Sequence, residues 1–253
     1  MPSRWWVGVD TTRPETVTPA QLHAAVTHWF DLTDDAHAQQ GKPFSISPLV
    51  PVQGKGWGFE VGVLTREAES HLKRGAREIG FERLGHRSAR VHQPLPLHRH
   101  TWRELLDTPD CRRWGLEFLT PVSFRTGGHS SPLPDVPKLV HSLVGSWAFA
   151  DEDQISAPEL SHADVASIWI SAIHNANSTT VDLATHILHG MTGRIELECD
   201  DRRVGQRFGA LVALAAYSGI GAGRYRGMGV TRVEAATSVE RRERSGSAGR
   251  IPA

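Results

Sequence analysis

Apolar positions follow two periodicities along this chain and predict strands and helices in a repeating order. The apolar and aromatic run at 5–10 predicts a first strand. Apolar residues then recur at helical spacing over 22–30, after a Thr18–Pro19 pair typical of a helix start. The same reasoning predicts strands at 44–52, 57–64 and 81–92 and a helix at 66–79. The amino-terminal part therefore has the order βαββαβ.

The second part of the chain repeats this order. A connector rich in Pro, His and charge, with one helical turn, occupies 93–110. Strands are then predicted at 114–125, 165–176, 180–188, 194–199 and 229–235, with helices at 134–149 and 203–218. Two such units indicate an α+β protein with tandem ferredoxin-like domains. We expect one domain at 1–108, a second at 109–237, and a flexible tail at 238–253.

The net charge of zero conceals a polarised distribution. Lys plus Arg and Asp plus Glu number 28 each, but the net charge is −2 over 1–65, +4 over 66–125, −8 over 126–200 and +6 over 201–253. Arg outnumbers Lys 24 to 4, which suits phosphate binding and is equally typical of a GC-rich genome. The asymmetry predicts a basic face around residues 202–232 that binds a polyanion.

Composition also restricts the class of protein. Cys111 and Cys199 are too few for a disulfide framework or a zinc site, and they fit a reducing cytoplasm. Neither a signal peptide nor a run of about 18 apolar residues is present, so we expect a cytoplasmic protein with no membrane partner. His98-x-His100 and the 186–189 histidine pair lack further ligands, so no metal and no cofactor is expected.

A glycine-rich stretch at 219–229 is a candidate phosphate-binding loop. A dinucleotide fingerprint needs a strand before its glycines and a helix after them, and the order here is reversed. We interpret the stretch as a loop whose amides and arginines bind phosphates and whose tyrosine stacks on a base. A plain connector with solvated arginines is the alternative. The candidate residues are Gly219, Gly221, Gly223, Arg224, Tyr225 and Arg226.

A second candidate is the polar segment from His37 to Lys42, which leads into a predicted strand. Histidine exchanges protons near neutral pH, and a lysine stabilises charge that develops on a phosphate. This pair suits phosphodiester cleavage, although the chain has 14 histidines and chance pairings are common.

Three segments together resemble the CRISPR-associated repeat-RNA-processing endoribonucleases of the RAMP superfamily, the sixth Cas family. They are the His37 to Ser47 segment, the stretch from Trp114 to Trp147, and the glycine-rich signature from Tyr217 to Val230. The resemblance implies metal-independent cleavage that leaves a 2′,3′-cyclic phosphate and a 5′-hydroxyl. It also implies that His37 is the general acid or base and that Lys42 stabilises charge.

Many relatives carry a tyrosine near the first helix, whereas the tyrosines here are Tyr217 and Tyr225. His23, on that helix, is a further catalytic candidate. The resemblance implies CRISPR repeat RNA as partner, as precursor and as mature guide, and leaves open other Cas subunits and a monomeric or homodimeric state. A non-catalytic RNA-binding subunit of an effector complex is the alternative function. The remaining candidate RNA contacts are Arg203, Arg207, Arg125 and Lys138.

Overall fold

The computed structural model describes residues 1–11, 17–30, 41–52, 56–84, 87–108, 111–182 and 187–236. The strands of these ranges are β1 (Ser3–Asp10), β2 (Phe44–Ile46), β3 (Val50–Val52), β4 (Gly56–Val63), β5 (Phe81–Leu84), β6 (Arg87–Val91), β7 (Leu95–Arg99), β8 (Arg113–Val122), β9 (Phe124–Thr126), β10 (His129–Ser131), β11 (Ile168–Asp182), β12 (Ile187–Cys199) and β13 (Thr231–Ala236). The helices are α1 (Pro19–Phe30), α2 (Arg66–Ile79), α3 (Trp102–Leu106), α4 (Val136–Trp147), α5 (His162–Ala166) and α6 (Arg202–Ser218), with 3-10 turns at Ala148–Asp153 and Arg224–Arg226.

Three of the longer helices begin at residues whose side chains cap the helix amino terminus. The Thr18 hydroxyl accepts a hydrogen bond from the amide of Gln21, so α1 begins at the predicted Thr-Pro pair. The N-caps of α4 and α6 are Asp135 and Asp201, whose carboxylates accept from the amides three residues later. Each of these caps satisfies an amide that has no partner within its helix.

Each half of the chain forms a sheet with the strand order of a ferredoxin-like unit. In the amino-terminal half the order is β2-β4-β1-β6-β5, with β3 also pairing with β4 and β7 with β1. In the carboxyl-terminal half the order is β11-β12-β8-β13, and all three pairings are antiparallel. The first strand of each unit thus lies inside its sheet, which confirms the predicted tandem ferredoxin-like fold.

The carboxyl-terminal strands differ from the prediction in number and length. Three predicted strands between 165 and 199 are two long ones, β11 and β12. The polar stretch near Asn177 does not end β11. A bulge between His174 and Asn177, with Asn175 at a φ of 51°, shifts the register and lets the pairing with β12 continue. The predicted strand at 81–92 is likewise a hairpin of β5 and β6.

The connector at 93–110 contains a strand that patterning did not predict. Pro94 and Pro96 argued against a strand, but β7 lies at an edge, where a missing amide is tolerated. The α3 turn that follows confirms the predicted helical turn. Its Trp102 and Leu105 pack into the carboxyl-terminal core, although both precede the predicted boundary at 108–109. The predicted tail lies outside the described residues.

Two hydrophobic cores fill the space between helices and sheets. The amino-terminal core packs α1 and α2 against β1 and β4, around Trp29 and Phe59. The carboxyl-terminal core packs α4 and α6 against β8 and β12, around Trp114 and Phe208, whose rings meet edge to face.

The two halves meet where the carboxyl-terminal end of α6 contacts β1, β2 and β4. Arg4 donates to the carbonyl of Ala216 at 2.6 Å, and the Ser45 hydroxyl donates to the carbonyl of Tyr217 at 2.7 Å. A Cβ on Gly62 would lie 1.9 Å from that Tyr217 oxygen. Only glycine at position 62 therefore allows α6 to approach β4 this closely.

We expect Gly62→Ala to lower the free energy of unfolding by about 1–3 kcal/mol, because the added methyl group overlaps a backbone carbonyl that has no room to move. Gly145→Ala is the matched control, because Gly145 lies within α4 and a Cβ there would meet nothing within 4 Å. That control should raise stability by roughly 0.5–1 kcal/mol. Denaturant unfolding of both variants measures the difference, and equal stability would contradict the close approach at Gly62.

Candidate nucleic-acid interface

The glycine-rich loop begins directly after α6 and folds back on itself. Gly219, Gly221 and Gly223 adopt φ values of 66°, 85° and 72°, which side chains other than glycine rarely adopt. The amide of Ile220 donates to the carbonyl of Gly229 at 2.9 Å and closes the loop at its base. The three glycines that were predicted to bind RNA thus allow the backbone conformation of the loop.

Two of the loop amides that we expected to hold phosphates are occupied within the protein. The amide of Gly219 donates to the carbonyl of Ala215 at 2.9 Å, and that of Gly221 donates to the Ser142 hydroxyl at 2.8 Å. An amide donates one hydrogen bond, so neither is available to a phosphate in this conformation. The RNA-binding role of these two glycines stays a prediction.

Arg224 points toward α4. Its guanidinium donates to the Ser146 hydroxyl, and burial lowers the pKa of Arg224 to about 10. Ser142 and Ser146 lie one turn apart on α4, so one helix face contacts both Arg224 and the amide of Gly221. The sequence analysis did not single out these serines. The Ser146 hydroxyl also donates to the carbonyl of Ser142 at 3.0 Å, so it links the helix backbone to Arg224.

Tyr225 and His23 bring the loop onto α1. The ring of Tyr225 lies 5.3 Å from that of His23, and His23 Nδ1 lies 2.8 Å from the Tyr225 carbonyl oxygen. A carbonyl only accepts, so Nδ1 carries the proton and Nε2 is the basic nitrogen of the neutral ring. The Thr27 hydroxyl, 2.8 Å from Nδ1, also contacts the ring. The Arg226 guanidinium lies over the Tyr225 ring, 5.4 Å from its centre.

The loop also contacts the strand that Lys42 leads into. A Cβ on Gly227 would lie 3.7 Å from Pro19 of α1 and 4.0 Å from the Ile46 carbonyl of β2. Lys42 itself is buried two residues before β2. His37 lies outside the described residues. The structure therefore brings His23, the strand after Lys42 and the tip of the glycine-rich loop together.

The other predicted RNA contacts lie in different places. Arg203 pairs with Asp164 at 3.1 Å, and Arg207 donates to the Glu159 carbonyl at 3.0 Å. Both are in the first half of α6, about 24 Å and about 18 Å along the helix from the loop, given a rise of 1.5 Å per residue. Arg125 is exposed on β9, and Lys138 lies on the α4 face that carries Ser142, where it pairs with Asp135 at 2.6 Å.

The predicted single basic face around 202–232 is therefore wrong for the window as a whole. Its arginines divide between the two ends of α6, and Arg232 on β13 pairs with Glu117 at 2.6 Å. The 17-residue helix α6 separates the arginines in its first half from those that follow it. A count of charges along the sequence does not show this separation in space.

A cleft of about 540 Å³ lies between the two halves. Tyr217 forms part of its wall, with its hydroxyl 3.1 Å from His98 Nδ1 and in contact with His100 Nδ1. Burial raises the pKa of Tyr217 to about 12, so its hydroxyl stays protonated at neutral pH. Arg4 and Glu60, 2.6 Å apart, also line the cleft.

Comparison with known proteins finds a family model that matches part of this chain. Residues 116–231, which include the glycine-rich loop, match the family described as CRISPR-associated endoribonuclease Cas6. The predicted resemblance to the Cas6 family is confirmed. No curated protein sequence matches the chain significantly.

The Cas6 likeness extends over most of the fold. A product complex of Thermus thermophilus Cas6 (TTHB231) has a TM-score of 0.77 at 22% identity, covering 92% of this chain and 100% of that one. A Cas6 (TTHA0078) product complex has a TM-score of 0.73 at 19% identity, covering 94% and 100%. A RAMP protein described as binding different RNA substrates has a TM-score of 0.61 at 8% identity, covering 92% and 99%. At these identities the likeness concerns the fold.

Two further properties concern the described part of the chain. None of its helices is both long and apolar enough to span a bilayer. Within the same ranges, no group of three or more His, Cys, Asp or Glu side chains is placed to hold a metal ion.

We expect Arg224→Ala to destabilise the protein by roughly 2 kcal/mol, because a hydrogen bond from a charged donor at a partly buried position is lost. Arg203→Ala is the matched control and should change stability little, since its ion pair is exposed. Thermal or denaturant unfolding measures both. If Arg224→Ala were as stable as the parent, the guanidinium would not anchor the loop to α4.

Proposed function

We propose that this chain cleaves CRISPR precursor RNA within its repeats. The observation that carries the proposal is the contact of the glycine-rich loop with α1 and β2, through His23 and Gly227. It joins the family signature of the carboxyl-terminal half to the amino-terminal half, where the candidate catalytic residues lie. The Cas6 family match and the RNA complexes of proteins with this fold support the proposal.

The proposed reaction is a transesterification that needs no metal ion. A general base removes the proton of the RNA 2′-hydroxyl, and the 2′-oxygen attacks the adjacent phosphorus. The bond from phosphorus to the 5′-oxygen breaks, and a general acid protonates that oxygen. The products are a 2′,3′-cyclic phosphate and a 5′-hydroxyl, and no other reactant is consumed.

We assign the proton transfers to His37 and His23 and the stabilisation of phosphate charge to Lys42. The Tyr225 carbonyl orients the imidazole of His23 so that Nδ1 carries the proton, and Nε2, 3.3 Å from the Thr27 hydroxyl, is the basic nitrogen. Residues 1–216 contain no tyrosine, and Tyr225 is the tyrosine that lies against the first helix. We therefore propose that Tyr225 takes the place of the tyrosine found near that helix in many relatives.

RNA is proposed to lie across the loop and the adjoining surface of the carboxyl-terminal half. Arg226 and Tyr225 at the loop tip, with Arg125 and Lys138, are the proposed contacts, and Arg224 acts by holding the loop. Arg203 and Arg207 would reach only RNA that extends along α6. We keep the predicted domains 1–108 and 109–237 as part of this proposal.

A non-catalytic RNA-binding RAMP subunit is the second candidate. A RAMP protein of this fold, described by its RNA binding, favours it, as does the absence of a tyrosine before position 217. Such a subunit would bind repeat RNA tightly without turnover and copurify with other Cas subunits.

Cleavage of the genomic repeat RNA in EDTA should proceed at the rate seen without chelator. His37→Ala should slow it by about 10²–10⁴-fold, the usual contribution of a general acid or base, with RNA affinity retained. His92→Ala is the control, because His92 pairs with Asp10 on the amino-terminal sheet. Single-turnover gel assays measure the rates. Loss of cleavage on chelation would overturn the metal-free mechanism, and absence of any cleavage would favour the non-catalytic subunit.

Binding of the repeat RNA should weaken steeply with salt, because phosphate contacts release counterions. Arg226→Ala should lower the slope of log affinity against log salt by about 1, the value for one phosphate contact. Arg203→Ala should leave this slope unchanged when the RNA is a short repeat hairpin. A filter-binding salt titration measures both, and an unchanged slope for Arg226→Ala would remove that residue from the RNA interface.

A further inference from the structure

The contact of Tyr217 with His98 and His100 joins the two halves beside the base of the glycine-rich loop. Tyr217 is the second-last residue of α6, whereas His98 lies on β7 and His100 directly follows it. Both imidazoles meet the Tyr217 ring edge to face, at centroid distances of 5.1 and 5.9 Å. Both Nδ1 atoms face the one hydroxyl.

The proton count of this contact limits how it forms. A tyrosine hydroxyl has one proton to donate and lone pairs that accept. It can therefore donate to one imidazole and accept from the other, which requires one Nδ1 without a proton and one with a proton. Two protonated imidazoles offer only donors, so the hydroxyl proton would lose its acceptor.

Burial and the surrounding charges favour the neutral form of His98. His98 lies opposite Arg4 in the β1–β7 pairing, and burial, reinforced by Arg4, lowers the pKa of His98 although Glu60 opposes this. His98 is therefore the acceptor of the Tyr217 proton, and His100 donates. The other charged groups of this cleft are Glu104 and Asp107 at α3 and Arg232 of β13, which pairs with Glu117.

We propose that His98, Tyr217 and His100 form a proton-sensitive lock between the two halves, closed while His98 is neutral and released when His98 takes up a proton, because both Nδ1 atoms then carry protons. Release removes the side-chain contact that holds the last turn of α6 against β7. Because Gly219 follows Tyr217 by two residues, release also loosens the base of the glycine-rich loop. The lock concerns the protein alone and stands whether or not the chain cleaves RNA.

The direction of the pH effect follows from His98. Its imidazole binds a proton less readily in the folded than in the unfolded chain, so it contributes stability that is complete above its ordinary pKa of 6.5. That contribution is lost as the pH falls through the lowered folded value. Acid therefore opens the lock, and neutral pH closes it.

Hydrogen exchange of the full chain without RNA tests the lock. Protection of amides 215–229 should fall on the order of tenfold between about pH 7.5 and about pH 5, beyond the intrinsic change in exchange rate. Tyr217→Phe removes the hydroxyl and should show low protection at both pH values. His98→Asn places an amide oxygen near the position of Nδ1, where it accepts the Tyr217 proton at any pH, so protection should persist in acid.

His92→Asn is the matched control and should keep the full pH response of residues 215–229, because His92 pairs with Asp10 away from the cleft. The His98→Asn result separates a proton-sensitive lock from a merely structural contact. If the parent shows no acid-dependent loss of protection, or if His98→Asn loses protection in acid as the parent does, the proposal is overturned. Neither outcome bears on RNA cleavage, which is measured separately.

Discussion

The close approach of the carboxyl-terminal end of α6 to the amino-terminal sheet is the constraint on which the rest of this structure depends. The last carbonyls of a helix have no partners within it, and they must find donors elsewhere. Here Arg4 and Ser45, from the other half of the chain, supply those donors to Ala216 and Tyr217. Because Gly62 has no side chain, the Tyr217 carbonyl and the Ser45 hydroxyl can meet beside β4. A helix terminus that would otherwise be solvated thereby joins two ferredoxin-like units.

This constraint also fixes where the glycine-rich loop begins. Because α6 ends against β4, the loop emerges next to β2 and α1 and can reach His23 through the Tyr225 carbonyl. Ser142 and Ser146 of α4 hold the other side of the loop. Several polar groups of the loop, including the Gly221 amide and the Arg224 guanidinium, therefore hold the loop in place through hydrogen bonds within the protein. The tip of the loop places an aromatic ring and a guanidinium beside an oriented imidazole, a combination suited to a single-stranded phosphodiester.

The same helix explains the distribution of charge. Arg203 and Arg207 start α6 and Arg224 and Arg226 follow it, so the length of the helix separates two basic clusters of one sequence window. Several of these side chains have partners in the protein, including Asp164 and Ser146. The contact of Tyr217 with two histidines adds titratable side chains to the same junction, and the proposed lock would make the docking of the halves depend on pH.

The local pattern of the sequence was sufficient for the repeated βαββαβ order, the start of α1 at Thr18 and the helix-glycine-strand context of the loop. These features depend on neighbours within a few residues, and periodicity reports such neighbours directly. It was not sufficient for β7, where prolines are tolerated only because the strand lies at an edge, or for the bulge that lets β11 continue past His174.

Only the tertiary structure decided what the candidate site residues do. Arg224 and Arg226 are two residues apart, yet one contacts α4 and the other lies over Tyr225. His98 and His100 have the spacing of a metal pair and instead meet one tyrosine from a helix more than 100 residues away in sequence. Sequence spacing specifies which residues share a face of one element, whereas a site is formed between elements, where packing alone brings donors and acceptors together.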